Sequence, residues 1–127
     1  MTPNELLAAA NGLLERSDAK TAAIWPRAAA LLARQALEQG LDAYWRSRAL
    51  KLDALGTRPQ LICLQTYLAD RELAARANDT WSSLTQACHH HPYELSTGRE
   101  ELKAWLEAVA ETLAATEAPA IGRQEAR

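Results

Sequence analysis

Apolar positions recur along this chain with a period near 3.6 residues, and no segment alternates with the period of two that a half-buried strand requires. Leu6, Ala10 and Leu13 fall at i, i+4 and i+7, and Leu7 with Leu14 widens the stripe until Glu15-Arg16-Ser17-Asp18 interrupts it. Thr2-Pro3-Asn4-Glu5 sets the start of this first helix. It offers an N-cap hydroxyl, a proline at the first helical position, where a missing N–H costs nothing, and a glutamate that reaches back to the cap. A longer second helix is predicted from about Pro26 to Lys51, with Ala30, Ala33, Leu37, Leu41 and Tyr44 on one face and Trp45 beside it. Proline deep in a helix costs about 3 kcal/mol, so Pro26 belongs to a first turn and residues 21–25 read as a separate turn.

Gly56-Thr57-Arg58-Pro59 is a stop followed by a new start. Beyond it Leu61, Leu64, Leu68 and Ala75 share one side of a third helix while Ile62, Ala69 and Leu73 share another, which predicts a central helix apolar on two faces. Asn78-Asp79-Thr80 is read as a break that caps a short fourth helix bearing Trp81, Leu84, Cys88 and His91 on one face and ending at Pro92. A second capping box, Thr97-Gly98-Arg99-Glu100, opens a fifth helix with the stripe Leu102, Trp105, Leu106, Val109 and Leu113. The expectation is an all-α fold: an antiparallel helical bundle of four main helices plus one short helix. Residues 1–118 form its single domain, and residues 119–127, without periodicity, a mobile tail.

Composition narrows the chemistry. At 127 residues the chain suits one domain with a real core, and 48% hydrophobic with 24% charged residues is ordinary for a soluble globular protein. Lys and Arg number 14 against 16 Asp and Glu, a net charge of -2, so no global field draws a phosphate backbone and RNA binding would need a local patch. Cys63 and Cys88 have no CxxC spacing and read as reduced, buried thiols, which favours the cytoplasm. Met1-Thr2-Pro3-Asn4-Glu5 lacks the basic and apolar regions of a signal peptide, and no apolar run nears the roughly 18 residues of a membrane span. The reading is a soluble cytoplasmic protein with no membrane association.

The densest chemistry is Cys88-His89-His90-His91-Pro92-Tyr93. Successive helical positions point about 100° apart, so the three imidazoles cannot converge on one ion. There is no HxxxH or ExxH pair, and neither a metal nor a cofactor is expected. His89, His90 and His91 are instead the candidate proton-transfer groups, since histidine titrates nearest neutrality, with Tyr93 placed to orient a ring or seal the bundle end. Arg34 and Glu38 stand at i, i+4 on the border of an apolar face, a surface pair or, if partly buried, a polar support that holds another group. Trp45, Trp81 and Trp105 read as core packing, and Trp25, near a loop, is the exception, a candidate for a dimer contact. No Gly-rich phosphate loop or nucleophile elbow is present, which disfavours conventional nucleotide-binding and hydrolase chemistry.

The run Arg27-Ala28-Ala29-Ala30-Leu31-Leu32-Ala33-Arg34-Gln35-Ala36-Leu37-Glu38, the histidine-ended fourth helix and the tyrosine before a capped last helix together resemble the HEPN superfamily over roughly residues 20 to 115. The resemblance implies a bundle of four to five helices, often dimeric, in a group that includes metal-independent ribonucleases, toxin and defence proteins, and catalytically silent partners of nucleotidyltransferases. Its active ribonucleases carry an arginine, a spacer of four to six residues and a histidine on the fourth helix. This chain departs from that pattern: positions 82–86 hold no basic residue and Arg76 lies too far upstream. The resemblance therefore implies a non-catalytic module that forms a homodimer or binds RNA or a protein partner encoded nearby. The alternative is a divergent ribonuclease in which the histidines act with a phosphate contact from elsewhere, Arg34 and Arg76 foremost and Arg71 or Arg99 besides.

Overall fold

A computed structural model describes residues 1–16, 25–89 and 98–117. Among these residues there are five α-helices, one 3₁₀ turn and no strand. The all-helical expectation holds. Helix α1 (Pro3–Glu15) begins with the predicted capping box: the Glu5 N–H donates to Thr2 Oγ1 at 3.1 Å and the Thr2 N–H donates to the Glu5 carboxylate at 2.8 Å. That backbone donor holds the Glu5 carboxyl below its ordinary range. Helix α2 (Trp25–Ser47) buries all of Ala30, Ala33, Leu37, Leu41 and Tyr44, as its periodicity requires, and also Trp45.

The predicted second helix reaches too far, because it stops at Ser47 rather than near Lys51. Its end is a Schellman motif. The Leu50 N–H donates to the Trp45 carbonyl and the Ala49 N–H to the Arg46 carbonyl, each at 3.1 Å, while Ala49 turns left-handed at φ 56°. The left-handed region costs an L-residue about 1 to 2 kcal/mol, part of which glycine would return as unfolded-state entropy. Ala49→Gly should therefore raise stability by about 0.5 to 1 kcal/mol. Urea unfolding would show this as a higher midpoint with an unchanged slope.

A 3₁₀ turn (Lys51–Ala54) leads to α3 (Thr57–Tyr67), then α4 (Arg71–Cys88). Here the sequence reading is corrected. The break falls at residues 68–70, not 78–80, and the short helix is α3, with 11 residues, while the fourth, expected to be short and to start after Thr80, runs 18 residues from Arg71. Asp70 caps α4 by accepting from the Leu73 N–H at 3.0 Å. Asn78, Asp79 and Thr80 each cost a helix interior only a few tenths of a kcal/mol, and the buried stripe Leu73, Ala77, Thr80, Leu84 runs straight through them. Nor is α3 central. Leu61 and Leu64 are buried, but Ile62 and Ala69, assigned to a second apolar face, are exposed.

Helix α5 (Arg99–Glu117) buries Leu102, Leu106, Val109 and Leu113, with Trp105 half-buried. Its start is described only from Gly98, so Thr97 of the predicted capping box lies outside the described residues, as do positions 21–24 of the expected turn and the tail. Helices α1 and α5 run antiparallel: Arg99 Nε donates to the Leu14 carbonyl at 3.2 Å, and the Asn4 amide donates to Glu117 at 3.1 Å at the other end. Helix α2 packs against α1, α4 and α5, and α3 lies mainly on α4. Where α2 meets α5, Gly40 lets Leu113 approach so closely that a Cβ on residue 40 would overlap the leucine's Cδ2. None of the described helices is long and apolar enough to cross a membrane.

Candidate functional site at the seam of α2 and α4

Arg27, Arg34 and Glu38 follow at i, i+7 and i+11 and so share one face of α2. Trp81, Thr85 and Cys88 follow at i, i+4 and i+7 on α4. The two helices are antiparallel, and these faces meet. At one end Arg27 Nε donates to the Cys88 carbonyl at 2.8 Å, and at the other Trp81 Nε1 donates to Glu38 Oε2 at 2.9 Å. Between them Arg34 Nε lies 3.7 Å from Glu38 Oε2, an ion pair too long for a hydrogen bond. The two side chains are 22% and 31% exposed, so the pair is partly buried, and Glu38 does hold a further polar group, the Trp81 indole.

The seam is satisfied unevenly. Arg34 Nε and Thr85 Oγ1 are shielded from solvent and find no hydrogen-bond partner among the described residues. Burial pushes the Cys88 thiol above its ordinary range, and the positive charges of Arg34 and Arg27 only partly oppose it. A protonated, buried thiol is a poor nucleophile, so Cys88 serves here as packing. Trp81 is held from its other side by Arg58, whose guanidinium lies 5.1 Å from the ring centroid and donates to Ser82 Oγ at 2.8 Å and Asn78 Oδ1 at 3.3 Å.

The residues singled out in the sequence are scattered by this geometry. His89 is exposed and closes α4 as its C-cap, its N–H donating to the Gln86 carbonyl at 3.1 Å. His90, His91 and Tyr93 lie outside the described residues. Arg34 and Glu38 lie in the seam. Arg76 does not: it pairs with Glu111 of α5, and 13 positions along α4 at 1.5 Å each put it about 20 Å from His89. Among the described residues, no three of His, Cys, Asp and Glu gather as a metal site.

Sequence reasoning missed Arg27. Its donation satisfies a carbonyl that the end of α4 leaves open, and it puts positive charge where the helix dipole is negative. It also brings a guanidinium to within one residue of His89. The signal was present as the seven-residue spacing of Arg27 and Arg34, but only the contact with α4 gives that spacing a meaning. No family model matches the chain, and neither does any curated protein or solved structure.

Proposed function

We propose that the chain is a divergent HEPN-like helical module that works by association, through dimerisation or the binding of a protein or RNA partner, and not by catalysis. The observation that carries this reading is the state of Arg34. The Glu38 carboxylate lies beside Arg34 and also accepts from Trp81, so it offsets the positive charge that a ligand phosphate would meet there. Arg76, the other arginine considered for phosphate, is likewise engaged by a carboxylate, that of Glu111. In each case an acidic neighbour offsets the guanidinium's charge, and a phosphodiester transition state needs positive charge as well as a proton shuttle.

A ribonuclease is the second reading, and one observation favours it. Arg27 reaches the His89 end of α4, and the partner it finds there is a neutral carbonyl, not a carboxylate. The purified chain incubated with RNA, with and without divalent metal, distinguishes the two. The expected result is intact RNA. General acid–base work by an imidazole alone supplies only about 10² to 10⁴ in rate, too little for this bond. Cleavage that is lost in both Arg27→Ala and His89→Ala, with helicity retained, would replace the first reading by the second.

A further inference from the structure

Asn11 and Gly12 are neighbours in the interior of α1. Asparagine followed by glycine is the pair at which a peptide chain rearranges most readily, because no side chain on the second residue shields its backbone nitrogen. Asn11 is exposed, whereas Leu7, Ala10 and Leu14 around it belong to the buried stripe that seats α1 on the bundle. Packing does not ask for the glycine. Among the described residues, a Cβ at position 12 would meet only the guanidinium of Arg16, the far end of a flexible side chain, no nearer than 3.4 Å. Nor does the helix ask for it, since only proline is a poorer helix former.

We propose that Asn11-Gly12 is a site of spontaneous backbone modification that α1 holds shut, so that the pair registers opening of the helix. The reaction consumes water and releases ammonia. Hydroxide takes the proton of the Gly12 amide, whose nitrogen attacks Cγ of Asn11. The Cγ–Nδ2 bond breaks, and the departing nitrogen takes a proton from water, which restores the hydroxide and leaves a cyclic imide. Water then opens the imide. Addition at Cγ gives aspartate, and addition at the α-carbonyl gives isoaspartate, in which the main chain runs through Cβ and Cγ. The folded helix opposes the first step in two ways. The Gly12 N–H is a rung of the helix ladder, and the attack requires Asn11 to leave its helical dihedrals. The Asn11 side chain is itself held, its Nδ2 donating to the Leu7 carbonyl at 3.1 Å. Modification therefore waits for local opening of α1, in which the capping box at its start and the Arg99 bond at its end are lost. Isoaspartate makes the opening permanent. Its extra backbone carbon lies between Ala10 and Leu14 and takes Leu14 out of register with Leu7.

Incubation of the full chain at mildly alkaline pH, with and without unfolding concentrations of urea, tests this. Cleavage after Glu5 and Glu15 then isolates residues 6–15, in which Asn11 is the only asparagine, and chromatography separates the asparagine, aspartate and isoaspartate forms of that peptide. Conversion should be fast in urea and slow in the folded chain. Thr2→Ala, which removes the hydroxyl of the capping box, should raise the folded-state rate about fivefold. In urea, where the helix is gone for both, Gly12→Ala should convert far more slowly than the wild type. Equal wild-type rates with and without urea would overturn the proposal, because α1 would then give no protection. So would a wild type that stays unconverted in urea, or a Thr2→Ala chain that converts no faster than the wild type when folded. Wild-type conversion of Gly12→Ala in urea would overturn the pair as the site.

Discussion

Trp45→Ala should lower the free energy of unfolding by about 3 to 5 kcal/mol, the range for deleting a large aromatic side chain from a core. Trp45 is wholly buried, and its ring meets Tyr44 edge-on at 4.9 Å and Tyr67 at 5.3 Å, so alanine would leave a cavity where those ring contacts are lost. Its indole N–H has no hydrogen-bond partner among the described residues. Trp45→Phe, which keeps most of the bulk and discards only that unpaired donor, should therefore cost well under half as much. Urea unfolding followed by far-ultraviolet circular dichroism measures both without relying on tryptophan emission. A phenylalanine loss as large as the alanine loss would show that the indole N–H is engaged after all.

Trp45 also marks how far the sequence is legible. The faces of α1, α2 and α5 could be read from spacing alone, since each buries a single stripe and local period then equals tertiary burial. The same reasoning failed between residues 57 and 88. Leu61, Ile62, Leu64, Leu68, Ala69 and Leu73 fit one helix with two apolar faces as well as two helices with one each, and periodicity does not distinguish them. Asn78-Asp79-Thr80 read as the break on local propensity, and Asp70, the residue that caps α4, stands alone without such a cluster. What decided otherwise was Thr80, buried at 5% exposure within the stripe that continues to Leu84 and Cys88.

The seam was less legible for a different reason. Arg34 and Glu38 are neighbours on one helix, and their pairing could be anticipated. The bonds that give them a setting join residues 61 and 43 positions apart, Arg27 to Cys88 and Glu38 to Trp81, and no local pattern encodes a bond of that range. Trp81 looked like a core residue on its own stripe. It is half-buried, and its N–H is what fixes the Glu38 carboxylate.

Gly40 carries the other large effect, and its sign depends on one neighbour. In an isolated helix Gly→Ala gains about 1 kcal/mol, because glycine loses the most backbone entropy on folding. Here the added Cβ would overlap Cδ2 of Leu113, a side chain 1% exposed that has no solvent to turn into. Overpacking of this kind costs about 1 to 3 kcal/mol, so Gly40→Ala should destabilise by about 1 kcal/mol despite its better propensity. Leu113→Ala removes the obstructing atom at a loss of its own. In that background Gly40→Ala should stabilise by about 1 kcal/mol, which makes the coupling between the two positions about 2 kcal/mol. A double-mutant cycle in urea measures it. Equal effects of Gly40→Ala in the two backgrounds would mean that α2 and α5 do not meet through this pair.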